Sequence, residues 1–360
     1  MKRAFSLVLL VLLLFVSACS SQDTIPQSGD TVEGEAKIGE AKIKVYTSIY
    51  PMYDFAKKIG KDKIDLELMV PPGAEPHDWE PTAKLMAELE NAHVLIYNGV
   101  QMEMWVDKVI GSLSNKDLIV VEASHGIDLL KYEGHHHHDE EHCHEGHKHE
   151  HHEAHSHGEH EHEHHEGCGC GHSHGHSHGH EEDHKHGEYD PHLWLDPIRA
   201  MEQARNIKNA LIEVDEKNKD FYETNFNEFA NSLQELDQKF SKELKERNID
   251  EIVVAHAAFG YLTDRYGLKQ IAISGLTPQE EPSSAKMAEI TELVNEHGIK
   301  YIFYETLTSP KLAQVLAEET GASTAVLNPI EGVAREDMDS GKDYISIMEE
   351  NLQSIKEAIN

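Results

Sequence analysis

The sequence predicts an α/β protein of two lobes, each with a four-stranded parallel sheet flanked by helices, joined by one long helix. Three observations support this prediction. Short β-rich runs alternate with helical patterns near the start of the chain, the alternation repeats near its end, and an uninterrupted helical stretch lies between the two sets. Such alternation is typical of parallel βαβ units. A chain of 360 residues also fits two domains of ~150 residues each.

The first lobe is predicted from four apolar, β-rich runs that are separated by helical spacing. Its predicted strands are 43–50, 64–70, 93–99 and 118–124, with helices at 52–59, 82–92 and 103–110.

The linking helices and the second lobe follow. Residues 198–247 have apolar positions at helical spacing and contain neither Gly nor Pro, which predicts a helix, a break near 215–219 and a second, long helix. The second set of predicted strands is 252–258, 269–275, 300–306 and 323–329, with a helix at 283–298.

The N-terminus indicates the compartment. Lys2 and Arg3 precede an apolar run that is shorter than the ~20 residues of a membrane span, so it is predicted to be a signal peptide. The run ends in "VSAC", which resembles the bacterial lipobox, and this predicts lipidation at Cys19. The alternative is an ordinary secretory signal with an incidental Cys. We expect an extracytoplasmic protein, anchored by lipid to the cell membrane.

These patterns give five predicted segments. They are a signal peptide at 1–18, a flexible tether at 19–42, a first lobe at 43–199 that contains a His-rich insertion at 135–186, linking helices at 200–249 and a second lobe at 250–360.

The charge balance favours a cationic ligand. The formal net charge is −34, from 66 acidic and 32 basic residues. Nucleic acid is excluded as a partner because binding phosphates requires clustered Lys and Arg. Apart from Cys19, every Cys lies in the His-rich insertion, so the predicted lobes contain no disulfide.

The His-rich insertion holds 23 of the 29 His residues, interspersed with Glu and Gly. Imidazole and thiolate groups bind zinc, copper and nickel, so the segment is interpreted as a set of weak sites that collect divalent metal. The alternative is a solvated acidic spacer that binds metal incidentally. The predicted auxiliary ligands are His135, His136, His137, His138, His142, Cys143, His144, Cys168, Cys170, His172, His174, His176, His178 and His180.

A second candidate site depends on isolated residues near predicted strand ends. His77 follows the second strand, His192 lies in "DPHLWLDP", His256 ends the first strand of the second lobe, and Glu305 ends a later one. Ligands of open α/β sheets bind beyond the carboxyl ends of the strands, and a cleft between lobes is the usual site. Three imidazoles and one carboxylate suit one tetrahedral Zn²⁺.

Several motifs resemble one family closely: "PPGAEPHDWEPT", "YNGVQMEMWVDK", "DPHLWLDP", "AHAAFGYLTDRYGL", "GLTPQEEPS" and "YISIMEENLQSIKEAI". From about Lys44 to the C-terminus, the chain is similar to the metal-binding lipoproteins of bacterial ABC importers, in the zinc-uptake (ZnuA/AdcA) branch. The resemblance implies two α/β lobes bridged by one rigid helix.

The same resemblance implies a ligand set and partners. His77, His192 and His256 match the family's metal ligands, and Glu305 matches an acidic fourth one, with water, Glu75 or Asp78 as alternatives. Manganese-type relatives have Glu at the position of His256, so His there favours zinc. The implied protein is a monomer that binds Zn²⁺ at one tight site and serves an ABC permease.

Two other functions remain as alternatives. One is a surface adhesin that buffers metal. The other is a zinc hydrolase, but a catalytic zinc keeps an open position for water, and the sequence outside the His-rich insertion contains neither HExxH nor GxSxG. We therefore predict that the chain is not an enzyme.

Overall fold

Two four-stranded parallel sheets organise the chain in a computed structural model, which describes residues 42–132 and 188–360. The fold class predicted from the sequence is confirmed, including all eight strands. The first sheet contains β1 (Ile43–Thr47), β2 (Ile64–Leu68), β3 (Val94–Tyr97) and β4 (Ile119–Glu122), and the second contains β5 (Glu251–Val254), β6 (Lys269–Ala272), β7 (Tyr301–Tyr304) and β8 (Ser323–Val326).

The two sheets have equivalent strand orders. The first runs β2-β1-β3-β4 and the second β6-β5-β7-β8, and every pairing is parallel. The order reverses beside β1 in one sheet and beside β5 in the other. Loops that leave the carboxyl ends of strands diverge at such a point and leave a crevice, which is where α/β proteins bind ligands.

Ten α-helices occur in the described residues. They are α1 (Tyr50–Gly60), α2 (Ala83–Leu89), α3 (Val106–Ser112), α4 (Pro197–Val214), α5 (Lys219–Glu243), α6 (Gly260–Tyr266), α7 (Ser284–His297), α8 (Lys311–Thr320), α9 (Arg335–Ser340) and α10 (Tyr344–Ile359).

The helices between the sheets follow the predicted pattern of helix, break and long helix. Pro197 occupies the first turn of α4, and the Asp196 side chain caps this helix by accepting a hydrogen bond from the Ile198 N–H. A 3₁₀ turn at Glu216–Asn218 separates α4 from α5. With 25 residues, α5 extends ~37 Å at 1.5 Å per residue.

One continuous apolar core joins the two sheets. It includes Val45 of β1, Val254 of β5 and Phe240 of α5, all of them fully buried. Phe55 of α1 packs edge-on against Tyr344 of α10 with ring centroids 5.1 Å apart. Because the lobes share buried apolar surface as well as the helix between them, separating them would expose that surface to water.

Several sequence-based predictions lie outside the described residues. They concern the signal peptide, lipidation at Cys19, most of the tether, and all the auxiliary ligands of the insertion at 135–186. Within the described ranges, no helix combines the length and the apolar character that crossing a bilayer requires.

The chain segments on either side of the insertion are paired with each other. The Tyr132 N–H donates to the Glu188 carbonyl over 3.0 Å, and the Asp190 N–H donates to the Leu130 carbonyl over 3.0 Å. The insertion therefore leaves and rejoins the fold at one place. The segment that it rejoins leads directly to His192.

Candidate metal centre

His77, His192, His256 and Glu331 converge on one point. One donor atom from each lies within 4.8 Å of all the others. A Glu331 carboxylate oxygen lies 3.0 Å from Nε2 of His192 and 3.0 Å from Nε2 of His256, and its other oxygen lies 3.4 Å from Nε2 of His77. Neighbouring ligand atoms of a tetrahedral zinc with bonds of ~2.0–2.1 Å lie about 3.3 Å apart, so these separations suit a small tetrahedral cation.

Each of the four residues comes from a loop at the carboxyl end of a sheet. His256 follows β5 and Glu331 follows β8, while His77 lies between β2 and α2 and His192 directly precedes the 3₁₀ turn Leu193–Leu195. The three imidazole centroids are 5.4 to 6.0 Å apart. The structure thus brings together the three predicted His residues, two from the first lobe and one from the second.

Two further carboxylates orient the buried imidazoles. Asp190 lies 2.7 Å from Nδ1 of His192, and Glu305 lies 2.5 Å from Nδ1 of His256. A carboxylate that accepts the Nδ1 proton fixes the tautomer, so that Nε2 presents its lone pair to the centre. Carboxylate, imidazole and metal in series are the usual arrangement around a bound metal.

The carboxylate that lies among the three imidazoles differs from the predicted fourth ligand. Glu305 bonds the outer nitrogen of His256, whereas Glu331 lies within the group. Glu305 follows β7 and Glu331 follows β8, so the strand-end signal that selected Glu305 applied equally to Glu331. The choice between them depends on the path of the loop after β8, which periodicity does not reveal.

The acidic residues beside His77 have other positions. The two carboxylate oxygens of Glu75 accept the backbone N–H groups of His77 and Asp78, at 3.2 and 3.3 Å. The Gln279 side chain of the second lobe also donates to Glu75, over 2.6 Å. Glu75 therefore shapes the loop that carries His77 and links it to the opposite lobe.

Burial and charge oppose each other at this group. Burial favours the neutral imidazole of His192, but the Asp190 and Glu331 carboxylates outweigh it and raise the His192 pKa. Burial also favours the neutral form of His256, but the Glu305 and Glu331 carboxylates outweigh it and raise the His256 pKa well above its usual value. Burial alone would raise the pKa of Glu331, yet the surrounding imidazoles hold it well below the ordinary range.

The donor atoms also show incomplete hydrogen bonding. Nε2 of His77 and Nε2 of His192 are buried, and neither has a hydrogen bond of acceptable geometry within the described part of the chain. Buried polar atoms are usually satisfied, and those that are not indicate an ion or a function. Three nitrogens and one oxygen are ligands that zinc prefers. No other group of at least three His, Cys, Asp or Glu side chains in the described residues could hold a metal.

His77 is the one member of the group that is not fully buried. It lines a cavity of about 490 Å³, to which Trp79 and Met104 also contribute. The first lobe therefore provides the more accessible side of the centre.

Comparisons with known proteins identify the family. The family described as "Zinc-uptake complex component A periplasmic" matches residues 45–358. The chain is 38% identical over 348 residues to the high-affinity zinc uptake system protein ZnuA of Bacillus subtilis, covering 96% of this chain and 94% of that protein. It is 34% identical to the zinc-binding lipoprotein AdcA of Streptococcus pneumoniae over 99% of this chain, but it spans only 61% of that longer protein.

Solved structures agree with these relationships. The metal-dependent lipoprotein YcdH of Bacillus subtilis matches with a TM-score of 0.67 and 36% identity, over 89% of this chain and all of that one. The Zn(II)-bound ZnuA-like domain of Streptococcus pneumoniae AdcA matches with a TM-score of 0.67 and 33% identity, over 89% and 99%. A laminin-binding protein of Streptococcus agalactiae, described as a bifunctional adhesin and metal transporter, matches with a TM-score of 0.68 and 28% identity, over 88% and 100%.

Proposed function

Since the chain belongs to the ZnuA family of zinc-uptake components, we propose that it captures Zn²⁺ outside the cytoplasm and delivers it to the permease of an ABC importer. The observation that carries this proposal is the buried group of His77, His192, His256 and Glu331. The family is one of uptake components and not of enzymes, which confirms the prediction from the sequence.

The arrangement favours binding over catalysis. Catalytic zinc sites use three protein ligands and leave a position for water, whereas four protein ligands close a tetrahedral site. Glu331 supplies the fourth ligand here, and its depressed pKa keeps it anionic at neutral pH. We assign zinc binding to His77, His192, His256 and Glu331, with Asp190 and Glu305 orienting two of the imidazoles.

The His-rich insertion at 135–186 is proposed to collect zinc at weak sites and pass it to the centre. The insertion rejoins the fold at Glu188, close in sequence to His192, which supports a transfer of zinc from the insertion to the centre. Lipidation at Cys19 would hold the protein at the membrane beside its permease, and a monomer suffices for one centre.

Zinc titration calorimetry tests the assignment. Replacing residues 135–186 with a short Gly-Ser linker is feasible because the flanking Tyr132 and Glu188 are hydrogen-bonded. We expect the deletion to keep one tight zinc site and lose the weak ones, and His192→Ala to weaken the tight site severely. His93→Ala is the matched control, since this imidazole accepts a hydrogen bond from the Lys44 N–H outside the centre. Tight binding that disappears with the insertion but survives His192→Ala contradicts the proposal.

Adhesion is a second candidate function. It is favoured by the likeness to the laminin-binding protein of Streptococcus agalactiae. Growth of a deletion strain in zinc-depleted medium separates the two candidates. Loss of an importer component gives a growth defect that added zinc rescues, whereas loss of an adhesin does not.

A further inference from the structure

We propose that Trp194 is a positioning residue for the metal centre, because it fixes the loop that carries Glu331 and joins that loop to the segment that carries His192. This inference rests on the proposed function of the centre. We call residues 328–333, which follow β8, the Glu331 loop.

Trp194 contacts both halves of the centre. Its indole Nε1 donates to the Pro329 carbonyl of the Glu331 loop over 2.7 Å. Its ring packs edge-on against the His192 imidazole, with centroids 5.4 Å apart. The side chain is fully buried, and the Tyr344 hydroxyl of α10 holds its carbonyl at 2.5 Å. Trp194 thus has little freedom to move relative to either ligand.

The Glu331 loop needs outside support. Ile330 has a φ of +60°, a region that a β-branched residue rarely adopts, and it directly precedes Glu331. Conformations of this kind persist only where surrounding contacts impose them. Within the loop, the Asn328 side chain accepts the Ile330 N–H over 2.8 Å, which favours the turn but does not anchor it to the rest of the fold.

The anchors come from α10 and from the first lobe. The buried Asn351 of α10 pairs with the Asn328 backbone, accepting its N–H over 2.8 Å and donating to its carbonyl over 2.7 Å. From the first lobe, the Tyr50 N–H donates to the Glu331 carbonyl over 3.2 Å. A side chain at Gly332 would come within 3.1 Å of the Ala74 carbonyl, so this glycine allows the Glu331 loop to approach the loop that carries His77.

These contacts mean that a second-lobe ligand is placed by groups outside its own sheet. Among these groups, Trp194 also packs against a second ligand, His192. Removing its indole N–H frees the Pro329 carbonyl and lets the strained loop relax, which moves the Glu331 carboxylate away from the imidazoles. His192 and His256 have orienting partners of their own, Asp190 and Glu305.

Trp194→Phe in the full-length chain tests the inference, with zinc affinity and metal-free thermal stability measured together. We expect the zinc Kd to rise about 10- to 100-fold, the usual effect of losing an outer partner of a metal ligand. Tyr222→Phe is the control, because it removes a hydrogen bond of another fully buried aromatic side chain, from its hydroxyl to Asp215 over 2.8 Å, outside the centre. It should cost stability without changing the zinc Kd.

A double-mutant cycle separates positioning from general destabilisation. If Trp194 acts through Glu331, Trp194→Phe should have little further effect on the zinc Kd in a Glu331→Gln background.

Co²⁺ provides a spectroscopic test of the same inference. The visible absorption of the Co²⁺-loaded Trp194→Phe protein should change toward that of Glu331→Gln. A second variant, Asn351→Ala, should behave likewise, with the buried but remote Asn225→Ala as its control.

Two outcomes overturn the inference while leaving the proposed function intact. One is a wild-type protein that binds zinc tightly and a Trp194→Phe protein that binds it equally well. The other is that Trp194→Phe raises the zinc Kd by the same factor in the wild-type and Glu331→Gln backgrounds. A wild-type protein without a tight zinc site would instead overturn the proposed function itself.

Discussion

The two lobes have the same sheet order but hold their parts of the centre differently. In the second lobe, His256 and Glu305 follow closely after β5 and β7, so two adjoining strands fix both the imidazole and the carboxylate that orients it. In the first lobe, His77 lies on a loop well beyond the end of β2, and a hydrogen bond from its backbone N–H to Glu75 shapes this loop.

This difference teaches that the centre has a rigid side at His256 and an adaptable side at His77. The His256 side chain is fully buried between two carboxylates, whereas His77 borders the cavity beside Trp79. Buried charged groups lose much when a partner is removed, but a ligand near solvent can be replaced in part by water. The following predictions test this contrast and the ligands on which it depends, from the largest expected effect to the smallest.

The largest contrast is expected between His256→Ala and His77→Ala. The binding free energy of zinc at a site of four ligands is about 10–16 kcal/mol. One ligand therefore contributes roughly 3 kcal/mol, or about 100-fold in Kd. His256→Ala should lose at least this much and also destabilise the metal-free protein, because Glu305 and Glu331 lose a buried partner. His77→Ala should lose less in both respects. Calorimetry with zinc and thermal denaturation without it measure the two effects, and equal losses for both variants would remove the distinction between the sides.

The two second-lobe carboxylates should differ by a smaller factor. Glu331→Gln removes a charged donor from the centre, whereas Glu305→Gln removes an outer partner of His256, which costs about 10- to 100-fold in affinity. We expect Glu331→Gln to give the weaker zinc binding in competition with a chromophoric chelator. The reverse order would restore Glu305 as the fourth ligand, and Asp215→Asn serves as a control, because this buried carboxylate accepts hydrogen bonds at the junction of α4 and α5, outside the centre.

The smallest of these effects is expected from pH. In the metal-free protein, the raised pKa values of His192 and His256 stabilise the fold below about pH 6.5, and this contribution is lost as the pH rises through the folded pKa values. Zinc binds only the neutral imidazoles, so the zinc affinity should rise as the pH rises. The lowered pKa of Glu331 contributes stability that is fully present above about pH 4.5 and is lost as the pH falls through the folded pKa.

Thermal denaturation with and without zinc checks this prediction. The increase in Tm on adding zinc should be larger near pH 8 than near pH 6, and proton competition should begin above the ordinary His pKa of about 6.5. The dependence should be shallower in His192→Ala, which lacks one of the two imidazoles whose pKa is raised. A zinc-induced increase that stays constant across this range contradicts the assignment.

The sequence was sufficient for the architecture because each element has a local signal. Strand β3 ends at Asn-Gly, α4 begins at an Asp-Pro pair, and α4 and α5 contain no Gly or internal Pro to interrupt them. Their ends are set by backbone chemistry within a few residues. The three His residues could be selected for the same reason, since each lies at a strand end or beside Pro.

What the sequence alone determined is therefore the two-lobed α/β fold and the candidate imidazoles. Only the tertiary structure decided between Glu305 and Glu331, because both follow second-lobe strands and their roles depend on loop paths. The path of the Glu331 loop is imposed by Trp194, Asn351 and Tyr50, which are far from it in sequence. Periodicity reports local preference, and it carries no record of hydrogen bonds that a strained turn makes to distant parts of the chain.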